Sequence, residues 1–179
     1  MTSLSASRRA LLAVVWLLTV AAPATGQWRV FESEFDEDKK PWKEIEAKLP
    51  PPPRAENLIP FEAVGGLPHR YYVDAPSISV GEDGIVRYTL VVKTAGGATN
   101  VSFDGIRCEN REHKQYAVGR ADGTWVRARD PQWRSVEGLE QTRQHNVLYR
   151  DFFCPERHAR LTTAKQILEA LRQSRGNLR

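Results

Sequence analysis

The sequence is poor in the residues that usually announce chemistry: its 179 residues include two cysteines, four histidines and one methionine. With so few cysteines there is no Cys-x-x-Cys pair, which excludes the usual zinc ribbons and thioredoxin-type redox motifs. His69, His113, His145 and His158 form no His-Glu-x-x-His or other zinc spacing, and each is read as a surface or loop histidine. There is no Gly-x-Ser-x-Gly elbow, no phosphate-cradling glycine loop and no dinucleotide fingerprint. One-sided charge is lacking too. Lys+Arg number 26 against 22 Asp+Glu, and a formal +4 does not argue for a nucleic-acid binder. The longest apolar run, 10–20, is too short to cross a bilayer as a helix, and no internal repeat is visible.

What is present begins with an address. Residues 1–9 carry Arg8 and Arg9 and no acid, ALLAVVWLLTV follows, and small residues stand at Ala22, Ala24 and Gly26. This is the layout of a secretory signal peptide over 1–26, cut near Gly26. The strongly apolar core favours the general secretory route over the twin-arginine one. The mature chain is expected to be a soluble periplasmic protein, with outer-membrane association left open. Removing the leader takes away Arg8 and Arg9, leaving 24 basic side chains against 22 acidic. In an oxidising compartment, an even cysteine count favours a Cys108–Cys154 disulfide. The alternatives are a thiolate nucleophile or a metal pair, for which only His158 stands near Cys154.

The mature chain divides by composition. Residues 27–57 form an acidic, proline-rich segment, with five acids between Glu32 and Asp38. Within it, PWKEIEAKL from Pro41 has helical spacing at Trp42, Ile45 and Leu49, and Pro50–Pro53 reads as a stiff spacer. Residues 58–155 are the expected core domain. Strands are expected at 70–74 and 77–80, an edge strand because of Pro76, and at 85–94 and 99–108, with a bulge at Gly105. Two further strands, 114–120 and 124–128, flank the Asp122-Gly123 turn. Helices are expected at 140–153 and from 164, the second behind a Thr163/Gln166 capping box and docked through Leu168 and Leu171. Residues 156–179 form a basic helix and tail. The fold class is α+β, an antiparallel meander of about five strands with C-terminal helices packed on it and one disulfide.

Candidate sites are few. Asp74 and Asp83, near Gly81-Glu82-Asp83-Gly84, offer oxygens for Ca²⁺, but a turn accounts for them more simply. Asp104 and Asp122 likewise read as turn or strand-end residues. Arg87 and Arg107 fall on adjacent strands, near Asp104 and Glu109, as a cross-strand charge network. Trp125, Arg127, Arg129 and Trp133 interleave aromatic and cationic side chains, and form the candidate binding patch for a glycan, nucleotide or anionic headgroup.

The runs SISVGEDGIVRYTLVV, NVSFDGIRC, YAVGRADGTW and LYRDFFCP stand in register with the cryptic neisserial protein-like family of proteobacteria. The resemblance covers roughly 42–155 and includes both cysteines. It implies a single-domain exported envelope protein of Gram-negative bacteria and brings no established activity or catalytic residue. The functional expectation is therefore a non-catalytic interaction or structural module rather than an enzyme, with no cofactor and no metal. Its partner would be an envelope protein or polymer, not nucleic acid, and the basic tail is a candidate for weak contact with an anionic surface. A small-ligand or glycan-binding domain is the alternative.

Overall fold

The computed structural model describes residues 41–63, 69–137, 143–154 and 163–176. The chain divides into two compact units, Met1–Lys39 and Lys40–Arg179, and the described residues belong to the second.

That unit is built on one antiparallel sheet. Strands β1 (Leu58–Phe61), β2 (Arg70–Val80), β3 (Ile85–Lys93), β4 (Thr99–Arg107), β5 (Glu112–Gly119) and β6 (Trp125–Arg127) pair in sequence order. A two-residue β7 (Arg134–Ser135) pairs with the other end of β5. The meander follows from its turns. Gly84, Gly97 and Gly123 all have positive φ, which costs a residue without Cβ little. The sheet exceeds the expected five strands by β1 and β7.

Two expectations about strands are corrected. Strand β2 is internal, because Leu58–Phe61 pairs with 71–74 on its other side. Pro76 falls where the β2–β3 register shifts between Asp74 and Ser79, so its missing N–H costs no ladder bond. Strand β4 runs unbroken against β3 through Gly105. The irregularity lies one strand over, where Tyr116 of β5 is the extra residue opposite Phe103 and Asp104. The apolar phase of β4 changes because both of its faces are buried.

One face carries the main core. Val86, Tyr88 and Leu90 of β3, with Ile106 of β4 and Val73 of β2, pack against α1 (Arg143–Val147), a π-helical turn over Leu148–Phe153, and α2 (Ala164–Gly176). The disulfide joins the chain just after β4 to the end of that turn, with the two Cα atoms 5.7 Å apart. Ile167 and Leu171 are fully buried and Leu168 only partly so, which makes Ile167 rather than Leu168 the partner of Leu171 in docking α2. Its N-terminus is the expected capping box: Thr163 N–H donates to Gln166 Oε1 at 3.1 Å, and Gln166 N–H donates back to Thr163 Oγ1 at 3.3 Å. Thr163→Ala should lower the urea midpoint by the equivalent of about 1 kcal/mol. Among the described residues no helix is long and apolar enough to cross a membrane.

Candidate functional site

On the opposite face, alternation along the strands presents Ile85, Arg87, Thr89 and Val91 of β3 and Phe103 of β4. Residues 41–54 cross this face as an extended strap, with no helix over 41–50. The helical spacing of Trp42, Ile45 and Leu49 was misleading because the sheet satisfies the backbone instead. Ile45 N–H donates to Asp83 Oδ2 at 2.8 Å, and Arg87 Nη2 donates to Ile45 O at 2.7 Å. Arg87 also donates to Asp83 Oδ2 at 2.6 Å, in an ion pair whose side chains are 7% and 0% exposed. This buried pair grips both polar groups of one strap residue.

The grip tunes its members. Burial pushes the Asp83 carboxyl up, but Arg87 and the Ile45 amide outweigh it and hold it below the usual range. Arg87 is raised, because its bond to Asp83 overcomes the cost of burial. The Gly81–Gly84 turn therefore serves an internal ion pair, and the described residues contain no group of three or more ligands able to hold a metal. In the expected charge network Arg107 does meet Glu109, at 3.6 Å, whereas the partner of Arg87 is Asp83.

The rest of the strap is read side chain by side chain. Trp42 Nε1 donates to Asp83 O at 2.8 Å, and the Arg107 guanidinium lies 3.8 Å from the centre of its ring. Glu44 takes Lys114 Nζ at 2.9 Å and Trp133 Nε1 at 3.2 Å. Burial would raise Glu44, but these donors hold it below its ordinary value. Further on, Trp125 Nε1 donates to Pro50 O at 2.8 Å, and Pro52 comes within 3.3 Å of the position a Cβ on Gly123 would take. Pro50 and Pro52 of the expected stiff spacer thus lie against the β5–β6 hairpin.

The candidate patch is thus divided. Trp125 and Trp133 are half-buried and spend their indole N–H groups on the strap. Arg127 and Arg129 remain exposed, with Arg127 3.7 Å from Glu46. Three hollows flank the strap, the smallest, of about 200 Å³, between residues 50–52 and Asp74. One of about 350 Å³ lies under Ile45 and Leu49, beside Lys114, Tyr116 and Arg127. The third, of about 420 Å³, is lined by Pro52, Pro53, Val101, Arg120 and Trp125.

The histidine and Asp104 readings need correction. His145 is 7% exposed and Asp104 1%, both in the core rather than in loops or turns. Tyr88 Oη lies 2.8 Å from His145 Nδ1, and His113 stacks on His145 with ring centres 4.3 Å apart. Since Tyr88 and Asp104 face each other across β3 and β4, one buried group forms. Sequence spacing hides it, because its members come from four elements. The one local hint is that His145 shares a helical face with Leu148 and Phe152. His158 lies outside the described residues.

A seven-stranded antiparallel meander, stapled to helices on one face and crossed by an extended strap on the other, defines a small disulfide-linked α+β domain. The chain belongs to the CNP1-like family, whose sequence profile matches residues 37–172 and so takes in the strap, the sheet and most of α2. It is also 24% identical over 155 residues to Cryptic neisserial protein 1 of Neisseria gonorrhoeae, covering 73% of this chain and 76% of that protein. No solved structure matches the chain.

Proposed function

We propose that this chain is an exported periplasmic protein that works as a non-catalytic interaction module. The observation that carries the reading is the placement of its exposed apolar surface. Among the described residues three large exposed hydrophobics, Trp42, Ile45 and Leu49, lie on the strap, whereas Val118 and Val126 pair across the β5–β6 hairpin on the other face of the sheet. Three exposed apolar side chains along one strap, with Lys43, Lys48, Arg127 and Arg129 exposed around them, favour a protein or anionic-polymer partner. Tyr88, Asp104 and His145, the groups best suited to proton transfer, are 0%, 1% and 7% exposed, which speaks against work on a dissolved substrate. The disulfide supports the oxidising compartment that the leader implies. A small-ligand or glycan site is the second reading, favoured by the 420 Å³ hollow beside Trp125 and Arg120. The basic tail remains a candidate for anionic contact, although 157–162 and 177–179 lie outside the described residues.

Cell fractionation with alkylation of the unreduced, unfolded protein tests the compartment. A periplasmic chain lacking residues 1–26, with Cys108 and Cys154 both unlabelled, is the expected result. Two labelled thiols, or an uncut chain in the cytoplasm, would count against the reading.

A further inference from the structure

Beneath α1, four titratable side chains from four elements meet: Tyr88 of β3, Asp104 of β4, His113 of β5 and His145 of α1. The strap makes no use of them. Both ring nitrogens of His113 are buried without a hydrogen-bond partner, and so is Asp104 Oδ1. Asp104 Oδ2 takes the Ser102 hydroxyl at 2.5 Å. Among the described residues the charges at the group are Arg134 of β7, which acts on His113, and Arg143, which opens α1. Two stacked imidazoles in a site this dry are not both charged. We propose that Tyr88, Asp104, His113 and His145 form an acid-sensitive latch that holds α1 on the sheet, with the Cys108–Cys154 bridge keeping the released segment attached. The inference does not depend on the reading of export.

The proton count gives the direction. With α1 docked, burial, helped by His113, lowers His145 to about 3, and burial with Arg134 lowers His113. Burial raises Asp104 to about 7, against the pull of Ser102. Below pH 6 the docked latch therefore keeps Asp104 protonated and His145 neutral, and holds His113 back from charging. Once α1 is released, the histidines return to about 6.5 and the aspartate to about 3.9. Opening takes up a proton at His145 and more at His113, and returns the one on Asp104. Its equilibrium constant should stay flat above pH 7 and rise as pH falls below 6, by up to about tenfold per unit. Release would bare Val147, Leu148 and Phe152, so acid uncovers an apolar surface that neutral pH keeps shut.

Hydrogen exchange of peptides within 143–153, corrected for intrinsic rates and referenced to β3 and β4, reads the opening constant directly. The wild-type opening constant should rise as pH falls from 6 to 5 while β3 and β4 stay protected. Asp104→Asn removes the returning proton and should steepen the slope by about a further tenfold per unit, whereas His113→Phe should flatten it between pH 6 and 5. If either variant fails to fold, the wild-type slope alone decides. A flat wild-type profile, or β3 and β4 losing protection in step with α1, would overturn the latch.

Discussion

Reducing the disulfide should remove about 4 kcal/mol of stability, because the bridge closes a span of 46 residues and that much loop entropy returns to the unfolded chain. A domain of this size has about 5–15 kcal/mol in all, so the reduced protein should sit near the edge of folding at 37 °C. The site sharpens the effect. Cys108 and Cys154 are 2% and 0% exposed and belong to the same core cluster as Phe153 and Tyr88. The bridge thus also fixes the end of the π-helical turn against the sheet. Urea unfolding with and without reductant, and of the Cys108→Ala/Cys154→Ala double variant, checks this. Coincident midpoints would show that packing alone holds the helices.

The second large effect is expected at the strap's grip. Arg87→Ala should cost about 3–5 kcal/mol, because it leaves the Asp83 carboxylate, 0% exposed, without its counter-charge, and leaves Ile45 O without a donor. Asp83→Asn combined with Arg87→Met should cost clearly less than Arg87→Ala alone, since no buried charge is then stranded. Acid should weaken the grip by the same route. The folded Asp83 lies below its unfolded value, so the pair's stabilisation is complete above about pH 4 and is lost as pH falls through the lowered value. Tryptophan fluorescence, from Trp42 against Arg107 and from Trp125 and Trp133 bonded to the strap, reports its release when compared with far-ultraviolet circular dichroism of the sheet. A loss under about 1 kcal/mol for Arg87→Ala would mean that the pair is solvated and the strap held elsewhere.

The sheet was largely legible because its signals are local. Three hairpins announce themselves by a glycine at a positive-φ turn between strand-like runs, the β4–β5 turn using Arg111 instead, and the Thr163/Gln166 cap needs only its own four residues. Strand β1 was missed because four residues containing Pro60 give no alternation long enough to read, and β7 because it has two. The strap was misread for a physical reason. Trp42, Ile45 and Leu49 fit a helical stripe, but the groups that bond Ile45 lie on β3 and in the turn before it, about 40 residues away. Trp125 and Trp133 drew notice as a cluster, yet their indole N–H groups serve Pro50 and Glu44, partners that no spacing rule supplies. Asp104 reads from the sequence as a turn or strand-end residue and His145 as a surface or loop one, and the fold reverses both, because burial of a polar residue depends on what packs over it.

The central claim is that this face binds a partner and leaves it chemically unchanged. The most direct measurement places a photo-crosslinking residue at Ile45, 47% exposed, in the full chain in living cells, with Lys165 on the outer side of α2 as control. The adduct is identified by mass, and that partner is then incubated with the purified protein and weighed intact. The account predicts one discrete adduct from Ile45 and none from Lys165, loss of the adduct on Leu49→Asp with the thermal midpoint unchanged, and a partner of unaltered mass. A partner whose mass changes on incubation, with the change abolished by a single substitution such as Asp104→Asn, would contradict it.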